Sequence, residues 1–142
     1  MVASTKIGLI KLSDGSTLKL KIFIVDVREA GFSPFGGVQL DVKTVGGVSV
    51  QSVPDELKKS MADKPLIPPE PPIDGWEIVD IKEQEPAIAE EIVETSKGRF
   101  LVRVVAEAVM VSRNMKYRTI HNEPVYWVSW VVKISWKPVQ NP

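Results

Sequence analysis

Residues 99–113, RFLVRVVAEAVMVSR, and residues 123–137, EPVYWVSWVVKISWK, decide the fold. Both alternate with a period of two, the signature of long β-strands. The first sets Phe100, Val102, Val104, Ala106, Ala108 and Met110 on one face. The second sets Tyr126, Val128, Trp130, Val132, Ile134 and Trp136 on one face. If the two pair as an antiparallel hairpin about Arg118, these even faces lie together. Phe100 then opposes Trp136 and Ala106 opposes Trp130, small against large, as a filled layer requires. A slip of two residues preserves the facing, so parity is better specified than register. The same register sets Arg103 opposite Lys133, and that like-charge pair counts against it. Trp130 and Trp136 therefore read as core rather than as a stacking platform for bases. Trp127 lies on the other side.

That other side is unusual. It carries Leu101, Val105, Val109, Val111, Val125, Trp127 and Val131, where a half-exposed sheet should be polar. Something must cover it. The favoured cover is the N-terminal strands, packed on it as a second layer; the alternative is another subunit.

Working back along the chain, residues 5–12 read as a strand, and Asp14-Gly15 as a hairpin turn. Residues 17–28 return, with Leu18, Leu20, Ile22 and Ile24 on one face. Residues 38–45 and 48–53 read as two strands joined by a tight turn at Gly46-Gly47. Between them and the earlier hairpin lies a loop, EAGFSPFGG at 29–37, whose three glycines and proline exclude regular structure. Its Phe32 and Phe35 are expected to tuck into the core, the alternative being that they protrude as contact residues.

Pro54, Asp55 and Glu56 suit a helix start, and Lys58, Lys59 and Lys64 suit its end. One short helix over 54–64 is expected, with Leu57 and Met61 as its apolar pair. Residues 65–75, PLIPPEPPIDG, form an extended polyproline-like connector. Residues 76–82 read as a strand. Residues 83–95 are ambiguous: Pro86, Ile88, Ile92 and Val93 fit a short helix, while 91–95 could pair through Ser96-Lys97-Gly98 with the next strand, and a strand is favoured for the second half. The expected fold is thus mainly β, or β-rich α+β. It is an antiparallel sandwich or partly open barrel of about seven or eight strands, folded as a single domain over 1–142.

The chain of 142 residues has no cysteine, which excludes disulfides, thiolate metal sites and a cysteine nucleophile. No apolar run reaches the ~20 residues that cross a bilayer. Lys6 and the short stretch after it, broken by Lys11 and Asp14, do not make a signal peptide. A cytoplasmic location, or assembly into a particle inside the cell, is expected, with no membrane partner. Scarce Asn and Gln beside abundant Val, Ile, Lys and Glu point to a thermophilic source.

Net charge is zero overall, but the first 64 residues carry +2, residues 65–95 carry −8 and residues 96–142 carry +6. Either the acidic segment lies against the basic strands and neutralises them, or the basic hairpin end is free. In the second case Arg113, Lys116, Tyr117 and Arg118 would form a nucleic-acid arm. The neutralised arrangement is favoured.

Catalytic chemistry finds little footing. His121 sits alone in a polar turn, and neither Ser112 nor Ser129 lies in a nucleophile elbow. The acidic residues Asp74, Glu77, Asp80, Glu83, Glu85, Glu90 and Glu91 show no spacing that singles out a pair. No catalytic residue, metal site or cofactor is assigned, and the balance leans away from an enzyme. The function expected is an interaction or structural module, a homo-oligomer joined through apolar sheet surface, such as a component of a viral particle or an archaeal complex. One alternative is a nucleic-acid-binding domain using the basic hairpin end. The other is a small-molecule binder or enzyme with a pocket under the glycine-rich loop.

Overall fold

The structure is a computed structural model that describes residues 3–140, so the outermost ends of the expected 1–142 domain lie outside the described residues. β8 (Gly98–Arg118) and β9 (Pro124–Pro138) pair as the long antiparallel hairpin that the alternation predicts. Their register is displaced by two residues: Val102 opposes Trp136 and Ala108 opposes Trp130. Arg103 therefore meets Ser135 instead of Lys133, and the like-charge conflict disappears. Parity holds as far as Ala108. A bulge between Ala108 and Met110 then inserts one extra residue in β8. Beyond it Val111 points inward opposite Val128, and Met110 is exposed.

Seven further strands precede this hairpin: β1 (Ala3–Lys6), β2 (Gly8–Leu12), β3 (Thr17–Glu29), β4 (Leu40–Ser52), β5 (Trp76–Val79), β6 (Ile81–Glu85) and β7 (Ala87–Thr95). The total of nine exceeds expectation because two predicted strands are divided and two are fused. Residues 40–52 make one strand, since β4 runs beside β3 with Gly46 opposite Ile22 and Gly47 opposite Lys21. Gly46 is a place of close approach, not a turn. A Cβ there would lie 3.1 Å from the Lys21 carbonyl oxygen and 3.2 Å from Ile22 Cδ1. Residues 81–95 are extended, with no helix. The turn Ser96-Lys97 links β7 to β8, and Thr95 pairs with Gly98.

The strands form two packed antiparallel sheets. One has the order β1-β7-β8-β5, with β9 on the free flank of β8; the other is β4-β3-β2-β6. Three short hinges carry the chain between them: Ile7 from β1 to β2, Asp80 from β5 to β6, and Pro86 from β6 to β7. As a result one ladder spans both layers. Thr5 pairs with Ala89 in the first sheet and Leu9 with Glu85 in the second. Gly8 sits in its bend, where a Cβ would lie 2.7 Å from the Ala87 backbone nitrogen. The sandwich is joined along this side. On the opposite side β4 and β9 form no ladder with each other, so the barrel is not closed.

The core lies between the layers. Ile10, Leu12, Leu18, Leu20 and Ile22 meet Phe100, Val102, Val104, Ala106 and Val111, with Trp130 and Trp136 partly buried against them. The N-terminal strands thus cover the even face of the hairpin, not the odd one. The helix α1 (Asp55–Met61) follows β4, with Asp55 and Glu56 in its first turn, Lys58 and Lys59 in its last and Met61 fully buried. The connector 65–75 then runs past the end of β8, where Leu66 forms a bridge with Arg118.

Candidate functional site

The odd side of the hairpin forms the outer surface of the first sheet. Along it Val109, Trp127 and Val131 are 54%, 59% and 45% exposed. Leu101, Val105 and Val125 are half-buried by their neighbours. Val111 does not belong with them: the bulge turns it into the core, where it is 1% exposed. Its place in the strip is taken by Ile78 of β5. Ile78 pairs with Ser112, which in turn pairs with Trp127. Trp127 has an aromatic neighbour, Trp76, edge-on at 6.3 Å between ring centres. The Trp76 indole N–H is fixed by the Pro72 carbonyl at 2.7 Å, so the connector positions this pair.

β9 adds a second property. It flanks β8 on one side and, among the described residues, no strand on the other. Val132 and Ile134 belong to its inward face yet remain exposed, because that flank lacks a neighbour. Neither residue stands out in the sequence, where their even positions read as core. An open groove of roughly 530 Å³ runs along this flank, lined by Val48 of β4 and by Tyr126, Trp127, Val128, Ser129 and Trp130 of β9.

The loop 29–37 is fixed in place with its aromatics turned outward. Ser33 donates to the Val38 carbonyl at 2.6 Å, and Trp136 donates its indole N–H to the Phe35 carbonyl at 3.0 Å. Phe32 and Phe35 themselves are 80% and 69% exposed. Gly36 rests on Phe100 so closely that a Cβ would fall 2.6 Å from Cε2. That contact leaves no space for a ligand beneath the loop at this point, which weighs against a pocket there.

The basic hairpin end is occupied by internal partners. Arg113 bridges Asp14 at 3.0 Å and Glu77 at 2.7 Å. Lys116 pairs with Asp74 at 3.0 Å. Arg118 donates from Nε to the Lys64 carbonyl at 2.8 Å, and Tyr117 is half-buried. Further acidic residues of 65–95 are also paired: Glu83 with Lys11, Glu90 with Arg103 and Glu94 with Arg99. The acidic segment thus pairs with four of the eight basic residues of 96–142: Arg99, Arg103, Arg113 and Lys116.

Around Asp14 the two sheets share a polar cluster that the sequence does not reveal. The Asp14 carboxylate accepts from the Ser16 backbone N–H at 2.8 Å, from the Tyr126 hydroxyl at 2.7 Å and from Arg113. Burial pushes its pKa up, but the hydrogen bonds from Tyr126, Ser16 and Arg113 outweigh this and hold it below the ordinary carboxylate value. Burial likewise drives the Tyr126 phenol well above its usual range. Every buried side-chain nitrogen and oxygen among the described residues has a partner. The cluster thus ties the hairpin turn to β8 and β9.

His121 is exposed in the turn between β8 and β9, while Ser112 lies six residues into the paired strand from Arg118 and donates to the Glu77 carbonyl. Among the described residues no three His, Asp or Glu side chains converge as a metal site would need. Nor is any helix among them long and apolar enough to cross a membrane. No protein-family model matches the chain, no curated protein matches its sequence, and no solved structure matches it.

Proposed function

We propose that this domain is a non-enzymatic assembly module that self-associates through apolar sheet surface, as a building block of a larger particle or complex. The observation that carries this reading is the strip Ile78, Val109, Trp127 and Val131, exposed on the outer face of the first sheet and continuous with the unpaired flank of β9. Scattered exposed hydrophobics are ordinary; a strip of them shared by three strands on one sheet face marks an association surface. The paired state of Arg113, Lys116 and Arg118 favours this reading over nucleic-acid binding.

Sedimentation at micromolar concentration tests it. A species heavier than the 15.8 kDa chain is expected, shifting toward monomer when Trp127 is replaced by Ser. A monomer at every concentration overturns it.

A further inference from the structure

Edge strands invite pairing, and proteins guard them by keeping them short, charged or interrupted. Most edges of this fold obey. β1 has four residues, β5 has four, and β6 has five with Lys82, Glu83 and Glu85 among them. β9 does not. It runs for 15 residues, its prolines stand only at its two ends, and its two lysines are Lys133 and Lys137. Between Pro124 and Pro138 every residue retains a backbone N–H.

A two-fold axis perpendicular to a sheet pairs one residue of an edge strand with itself, because an interface between identical surfaces must be self-complementary. For β9 the choice of that residue is constrained. An axis at Lys133 sets lysine against lysine, and an axis at Ser135 sets Lys133 against Lys137. An axis at Val131 overlaps the strand over its whole length and places Pro124 opposite Pro138, so both prolines stay at the margins. In that register Lys133 meets Ser129, Lys137 meets Val125 and Trp127 meets Ser135 on the outer face. Trp130 meets Val132 and Val128 meets Ile134 on the inner one. Every lysine faces a neutral residue, and each exposed inner aliphatic gains an apolar neighbour. In the second layer Gly46 of β4 packs against Trp130, while a Cβ on the adjacent Gly47 would meet nothing within 4 Å.

We infer that two copies of this chain pair antiparallel through β9, centred on Val131, and merge their five-stranded sheets into one of ten. This deepens the self-association proposed above and rests on it.

The absence of cysteine makes the test direct, because any introduced thiol is the only one. Residues directly opposed in an antiparallel pair have Cα atoms about 4.5–5.5 Å apart, within reach of a disulfide. Mild oxidation of Val131→Cys should give a covalent dimer in high yield. Lys133→Cys alone should not, since the two copies of residue 133 lie four residues out of register, roughly 13 Å apart. An equimolar mixture of Lys133→Cys and Ser129→Cys should cross-link. All three positions are partly or fully exposed, and circular dichroism of the reduced proteins checks folding. A protein that sediments as a dimer but fails to cross-link at Val131, or that cross-links instead through Val105→Cys on the sheet face, overturns the edge register while leaving self-association standing. A monomer that cross-links nowhere overturns both.

Discussion

Gly46 and Trp130 meet across the open side of the sandwich: a Cβ on the glycine would lie 3.4 Å from the indole Cζ2. The same Cβ would crowd the Lys21 carbonyl and Ile22, so the absent side chain is filled by neighbours on both layers. Its successor, Gly47, meets nothing within 4 Å. Gly46→Val should therefore destabilise the fold by about 1–3 kcal/mol, as overpacking does. Gly47→Val should be neutral, or stabilising by roughly a few tenths of a kcal/mol, since it gains strand propensity without a clash. Urea unfolding of the two variants measures the difference, and equal effects would contradict the geometry.

The tie at Asp14 gives acid sensitivity a definite sign. In the unfolded chain its carboxyl titrates near 3.8, and in the fold it titrates lower. The stability it contributes is complete above the unfolded value and is lost as pH falls below it toward the folded value. Asp14→Asn should cost about 1–3 kcal/mol near neutrality, because Arg113 and the Tyr126 hydroxyl each lose an acceptor. The gap between wild type and variant should narrow as pH falls below the unfolded value of 3.8. Denaturant midpoints in neutral buffer and in acid below that value check this, and a gap that stays constant would rule Asp14 out as the source.

Asn114 anchors the connector. Fully buried, it donates to the Asp74 carbonyl at 2.9 Å and accepts from the Lys116 backbone N–H at 2.9 Å. Asn114→Leu should strand both groups and cost about 2 kcal/mol or more. Its sharper readout is local. Cleavage of residues 65–75 by a protease of broad specificity should accelerate well before the rest of the chain is attacked.

Trp136 ties down the Phe32–Phe35 loop through its indole N–H. Trp136→Phe keeps most of the apolar contact and removes that donor. Global stability should fall by only about 1 kcal/mol. Amide exchange across 31–37 should rise, while exchange in β8 remains unchanged. Protection that stays as it was would mean that the Gly36–Phe100 contact suffices to hold the loop.

The hairpin is legible because a period of two, kept by the even positions over two segments of fifteen residues, fits neither a helix, with its period of 3.6, nor a loop. Its parity holds to Ala108. The bulge at Val109 is not legible: Val109, Met110 and Val111 are all apolar, so nothing local marks which residue is the extra one. Gly46-Gly47 reads as a turn because adjacent glycines usually supply one, whereas here Gly46 makes room for Trp130 within one strand. The hinges at Asp80 and Pro86 are invisible because a strand changing sheets keeps its extended backbone. On the outer face, Val109, Trp127 and Val131 follow from their spacing. Ile78 joins them only through its pairing with Ser112, a contact set by the fold rather than by any nearby residue. The acidic partners Glu77 of Arg113 and Asp74 of Lys116 can be foreseen as a balance of charge between segments, not as pairs; the Lys64 carbonyl that holds Arg118 cannot.

The bent ladder that joins the layers has a consequence for how the chain is made. Ala3 pairs with Glu91 and Leu9 with Glu85, so the amino-terminal strand cannot complete its seam until the middle of the protein has left the ribosome. Until then Ile10 and Leu12 have only the local turn to β3 for company. Pairings so distant along a chain are slow to find. Such a nascent chain passes through an interval with sticky surface uncovered, and replacing Pro86 or Gly8 in the bend should lengthen that interval and lower the yield of soluble protein.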